Sequence, residues 1–181
     1  MRRLSSCCLL SLLLGIGLFA TSTAWGQFNI PLRINMGGPE ITDSNGNTWL
    51  GDAGGDPLGL RPNPVGGDRE IAAWANPDPG SVAALGFEGT AVDVDIFRSI
   101  RWDVGGDGQD WHMEIPIPNG EYTVNFYLCE AGGDGRHYSL WLEDSVVEED
   151  APSLAFPVGE GIVPGQNIAG LYSFEVEVLD G

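Results

Sequence analysis

The sequence contains no lysine: its eight basic residues are all arginines, set against 26 acidic ones, for a formal net charge of -18 over 181 residues. A chain with this balance repels phosphate backbones and anionic lipid headgroups, which excludes nucleic acid and acidic membrane surfaces as partners. Histidine is scarce as well, with only His112 and His137, and neither His-Glu-x-x-His nor Gly-x-Ser-x-Gly occurs. With no patterned nucleophile or catalytic zinc motif, the chain reads as a non-enzyme that needs no cofactor. Paired carboxylates for glycoside cleavage depend on a separation of about 5–9.5 Å in space, which residue order does not reveal.

Long apolar runs are confined to the start of the chain. Arg2 and Arg3 precede an apolar stretch over residues 9–20, and Ala24-Trp25-Gly26 supplies a small-x-small cleavage site. This predicts a signal peptide over residues 1–26, cleavage before Gln27, and a secreted or periplasmic protein. The stretch falls short of the ~20 apolar residues of a membrane span, and nothing comparable follows, so no transmembrane helix is expected. Cys7 and Cys8 precede the apolar run, on the wrong side for a lipid anchor. Of three cysteines only Cys129 lies in residues 27–181, which precludes an intrachain disulfide. Its place in an alternating segment predicts a small buried apolar side chain rather than a reactive thiol.

The remaining chain is long enough for one core. The 27 glycines and 12 prolines of the full sequence count against a helical domain, and segments of period two predict an all-β fold. Strands are expected over residues 28–36, 93–102, 111–117, 122–130, 138–143 and 172–179. Asn119-Gly120 is expected to turn 111–117 back onto 122–130 as a hairpin. Residues 50–90 read as a long irregular stretch, with a short helical turn over 69–75.

Ile34-Asn35-Met36-Gly37-Gly38-Pro39, then Thr42-Asp43-Ser44-Asn45-Gly46-Asn47-Thr48-Trp49-Leu50 and Phe97-Arg98-Ser99-Ile100-Arg101-Trp102, resemble a malectin domain. The likeness continues through Pro118-Asn119-Gly120-Glu121-Tyr122-Thr123-Val124, the strand ending at Glu130, residues 138–144 and Phe174-Glu175-Val176-Glu177-Val178-Leu179-Asp180-Gly181. It covers residues 27–181. The resemblance implies an antiparallel β-sandwich of the galactose-binding type and a non-catalytic role in holding carbohydrate, a glucan or another glycan. Where the animal proteins carry a sugar-gripping Tyr-Phe pair, this chain reads Ala131-Gly132-Gly133. No carboxylate stands near Leu171 or Tyr172, where the family has a sugar-contacting acid, so glucose-disaccharide specificity does not carry over. Family members also continue after the Asp-Gly turn with two more strands. The sandwich is therefore expected to lack its last strands, the chain being a fragment or a partner chain completing the sheet.

The candidate carbohydrate-binding residues are Phe97, Trp102 and Trp141. Phe97 matches a family binding position by place, while in an inward-facing strand it would serve the core. Trp102, like Trp49, lies in a matched segment where core packing competes with binding, and Trp141 alternates against Leu140 and Leu142 and should face outward. Flat aromatic rings stack on the C–H faces of sugars, but they also fill sandwich cores. Residues 43–47 place oxygen ligands at alternate positions, as a calcium loop does, yet lack the bidentate Glu; Asx-turn chemistry explains them. Asp103, Asp107 and Asp110 read as solvated loop acids. Two functions remain: an exported carbohydrate-binding domain, or a structural or protein-interaction β-sandwich that has lost sugar binding.

Overall fold

A computed structural model describes residues 28–54, 57–60, 69–71, 74–102, 113–132 and 136–180. In chain order these form β1 (Ile34–Asn35), β2 (Ile41–Thr42), β3 (Thr48–Gly51), β4 (Arg69–Ile71), α1 (Pro79–Ala84), α2 (Ala91–Ile96), β5 (Ile100–Trp102), β6 (Gly120–Cys129), β7 (His137–Leu142), β8 (Ser145–Pro152) and β9 (Ala169–Val178). Among the described residues the fold is β-rich with two short helices, and the sheets are small and open. Strand β3 lies between β1, parallel to it, and β2, antiparallel. The pairs β4–β5, β6–β9 and β7–β8 are antiparallel ribbons.

Alternation creates the longest ribbon. In β6, Tyr122, Val124 and Phe126 are half-buried while Glu121, Thr123 and Asn125 are exposed, the period expected of a strand with one wet face. Strand β9 answers residue for residue: Val124 faces Phe174, Phe126 faces Tyr172, and Thr123 faces Glu175. On the wet side the Thr123 hydroxyl donates to Glu175 Oε1 at 2.8 Å, a cross-strand contact of the kind that stabilises ribbons. Beyond Phe126 the opposite face becomes useful too, since Tyr127 and Cys129 pack on the core.

That core is built by Trp49 of β3, Val82 of α1, Val94 and Ile96 of α2, Phe97 just after it, and Ala169 of β9. Phe87 and Tyr127 join it. Tyr127 meets Trp49 edge-on at 5.4 Å and Phe97 at 6.2 Å, and Phe87 meets Phe97 at 6.0 Å; such edge-to-face pairs add to the energy of burial.

Both helices begin at side-chain caps. Asp78 accepts from the Ser81 amide at 2.9 Å and Pro79 occupies the first turn of α1. At α2, the Asp93 carboxylate accepts from the Thr90 amide and hydroxyl, both at 2.9 Å, and its other oxygen accepts from the Ser44 amide at 2.8 Å. Asp93 is buried, and it ties the helix to the turn before β3.

Several expectations need correction. Residues 93–102 do not form one strand: α2 occupies their first part and β5 only their last three residues. The buried set is Asp93, Val94, Ile96 and Phe97, a helical stripe whose polar member, Asp93, makes the sequence look alternating. Of the strand expected over 111–117, the described residues 113–117 are not strand, and β6 pairs with β9 instead; Pro116 and Pro118 lack the amide hydrogens a ladder needs. Asn119 instead donates from its side chain to the Leu179 carbonyl at 2.9 Å. Residues 69–71 are strand, not helical turn, and of 28–36 only Ile34 and Asn35 enter a sheet. Asp103, Asp107, Asp110, Trp111 and His112 lie outside the described residues.

The segments that carried the family resemblance have structural work. Gly37 has φ +70, and a Cβ there would sit 2.4 Å from the Ile100 carbonyl oxygen; only glycine fits. Asn35, 1% exposed, donates to the Pro39 carbonyl at 2.8 Å. Asp43 accepts from the Asn47 amide at 2.8 Å and from the Trp49 indole at 3.0 Å, and the bond it takes from the Asn45 backbone, two residues on, is that of the Asx turn expected of residues 43–47. Arg101 meets Asp52 at 2.8 Å, with both side chains nearly fully buried.

Burial opposes ionisation of Asp43 and Asp93, but it is outweighed: hydrogen bonds from Trp49, Asn47 and the Asn45 backbone hold Asp43 below the usual carboxylate range, and those from Ser44 and Thr90 do the same for Asp93. A depressed folded-state pKa contributes stability that is present above the unfolded value of about 3.9 and lost as the pH falls through the folded one. Urea unfolding at a series of pH values should therefore show stability falling below about pH 4, and Asp93→Asn should flatten that fall.

Candidate functional site

Strands β7 and β8 meet at a two-residue turn, Leu142 facing Ser145, with Glu143 and Asp144 at φ 48 and 57. This is the backbone of a type I′ hairpin, normally built from Asn-Gly. Alternation sorts β7 cleanly: Tyr138, Leu140 and Leu142 are half-buried, while His137, Ser139 and Trp141 are exposed. The inner side is anchored by Tyr138, whose ring lies 6.4 Å from that of Tyr172 in β9.

Trp141 is 58% exposed, and Val146, directly across from it on β8, is 42% exposed. An indole and an isopropyl group thus lie side by side in water on a regular ribbon. Polar groups flank them. A register shift puts Glu149 and Asp150 opposite Ser139, whose hydroxyl accepts from the Asp150 amide at 3.1 Å. The Asp150 carboxylate lies 3.1 Å from His137 Nδ1 and is 81% exposed. Strand spacing of about 3.3 Å per residue sets Ser139 some 7 Å along from Trp141 on the same side. At the turn, partial burial and the neighbouring charges of Asp180 and Asp144 push the Glu143 carboxyl upward.

The three candidate residues are not brought together. Phe97 is 4% exposed, closed in by Phe87 and Tyr127. Its ring has no free face for a sugar, a correction to its reading as a stacking residue; the core role is the one its position supports. Trp102 ends β5 opposite Arg69, and its side chain lies outside the described residues. Trp141 faces outward. Val146, Glu149 and Asp150 were missed by sequence reasoning, because β8 is rich in acids and its turn carries neither Asn nor Gly, while Ser139 falls in the expected strand 138–143 without being singled out.

At the end of β6, Glu130 is 8% exposed and pairs with Arg136. The Arg136 guanidinium lies over the Trp74 ring, 4.8 Å from its centroid, a cation–π contact that covers one face of that indole. Cys129 is half-buried beside them. Burial, with the Glu130 charge adding to it, pushes its thiol up to about 12, which keeps it protonated and unreactive at neutral pH. A cleft of about 340 Å³ opens between Phe28, Leu32, Arg33 and Leu50, and no candidate residue lines it. Among the described residues no cluster of three or more His, Cys, Asp or Glu is placed to hold a metal, and no helix is long and apolar enough to cross a membrane.

The sequence matches no family model, no curated protein and no solved structure.

Proposed function

We propose that the mature chain is an exported, non-catalytic carbohydrate-binding domain of the malectin type, an antiparallel β-sandwich that stacks a glycan on Trp141. The observation that carries this reading is the exposure of Trp141 beside Val146, with the Ser139 hydroxyl and two carboxylates on the same side of the hairpin. Apolar ring faces take up sugar C–H surfaces, and polar neighbours within reach take the hydroxyls. The malectin-like segments and the export leader favour the same reading. The wet faces of β6–β9 and β7–β8 suit the outer surfaces of a sandwich.

Trp141→Ala should weaken glycan binding about 5- to 30-fold, the equivalent of about 1–2 kcal/mol of aromatic contact. Because most of the indole is already in water, the melting temperature should hardly move. Glycan-array binding and thermal melts of both proteins test this; an unchanged glycan profile in Trp141→Ala would remove Trp141 from the site. The second reading, an interaction domain without sugar binding, is favoured by Gly132 in place of an aromatic and by the burial of Phe97. It predicts that the parent protein binds no glycan.

A further inference from the structure

Acidic groups predominate around Trp141. From His137 to Pro152 the hairpin carries Glu143, Asp144, Glu148, Glu149 and Asp150, with His137 as its one basic residue. Asp180 adds a further carboxylate beside the turn. Glu149 and Asp150 are exposed opposite Ser139, two residues along from Trp141 on the outward side of the ribbon. Arg136, the nearest arginine in sequence, is turned to Glu130 and the Trp74 ring. We propose that this face binds cationic amino sugars, glucosamine-type units carrying a free ammonium group, in preference to neutral or acidic ones. The proposal rests on the carbohydrate-binding reading and adds the class of sugar.

Each part of such a ligand has a partner. The C–H face of the ring lies on Trp141 and Val146, and the ammonium meets Glu149 together with Asp150, whose carboxylate it shares with His137 Nδ1 at 3.1 Å, with the indole face adding a cation–π attraction. A uronic or sulfated sugar brings its charge against these carboxylates and is repelled. An N-acetylated sugar keeps the stacking but loses the ion pair.

The test compares a fully deacetylated glucosamine hexamer, its N-acetylated counterpart, cellohexaose and hexalysine, by calorimetry on the mature protein at mildly acidic pH, where the amines are charged. The glucosamine hexamer should bind about tenfold more tightly than cellohexaose at low salt, and about 0.5 M salt should remove most of that advantage. Glu149→Gln with Asp150→Asn should abolish the advantage, bringing the glucosamine hexamer to within about twofold of cellohexaose on the same variant, and Trp141→Ala should weaken both sugars. Equal binding of neutral, N-acetylated and amino sugars through Trp141 would overturn the amino-sugar preference and leave carbohydrate binding standing. No binding of any sugar would overturn both. Hexalysine binding as tightly as the glucosamine hexamer, with neither affected by Trp141→Ala, would overturn the proposal in favour of a basic peptide partner.

Discussion

Phe97→Ala should lower the unfolding free energy by about 3–5 kcal/mol and leave the sugar affinity of the remaining folded protein unchanged. Phe97 is 4% exposed just past α2, and its ring edges meet Phe87 and Tyr127 at 6.0 and 6.2 Å. Removing it opens a cavity among three elements that cannot all close in, since Tyr127 is held by the ladder of β6 with β9 and Phe87 by the segment joining the two helices. Both the lost burial and the residual void then cost stability. A domain of ordinary stability has about 5–15 kcal/mol in all, so the variant should unfold at a much lower urea midpoint with a similar slope. Lost affinity at an unchanged midpoint would return Phe97 to the binding surface.

Arg101→Ala should be comparably damaging, about 3–5 kcal/mol, by a different route. Asp52 is 1% exposed, and its carboxylate is 2.8 Å from Arg101 Nε. The same guanidinium also donates to the Asp52 carbonyl. Removing the guanidinium leaves a carboxylate in a place that disfavours charge. Joint replacement, Asp52→Asn with Arg101→Met, should cost clearly less than Arg101→Ala, because the largest penalty in breaking a buried pair lies in the charge left behind. Urea unfolding of the single and double variants measures the difference; equal losses would mean that Arg101 acts through packing alone.

Strands β6, β7 and β9 are legible in the sequence because burial alternates along all of β7, along β6 as far as Phe126 and along β9 from Tyr172 onward, so period and burial agree over most of their length. Where burial takes in a polar group the period misleads. Asp93 is buried for its hydrogen bonds to Thr90 and Ser44, and this makes α2 resemble a strand. Strand β8 is hidden for the opposite reason: its Glu148-Glu149-Asp150 run reads as solvated loop, and Glu143-Asp144 adopts positive φ without the usual turn residues. The partner of β6 is 40 residues downstream of its end, and a local Asn-Gly signal pointed to the nearer segment. Of the site, the outward direction of Trp141 follows from its alternation with Leu140 and Leu142. Its neighbours Val146, Glu149 and Asp150 depend on the register between β7 and β8, which includes two irregularities and leaves no trace in residue order.

Carbohydrate binding at the hairpin is tested most directly by titrating the protein with soluble glycan oligomers while following its backbone and indole N–H resonances. Trp141 is exposed, whereas the Trp49 indole is buried and donates to Asp43, so the two indoles report on separate places. Binding as proposed shifts the Trp141 indole together with the Ser139 and Asp150 amides, saturably, and leaves Trp49 unmoved. Saturable shifts centred on Trp74 and residues 130–132 with Trp141 unaffected, or no shift with any glycan, would contradict it.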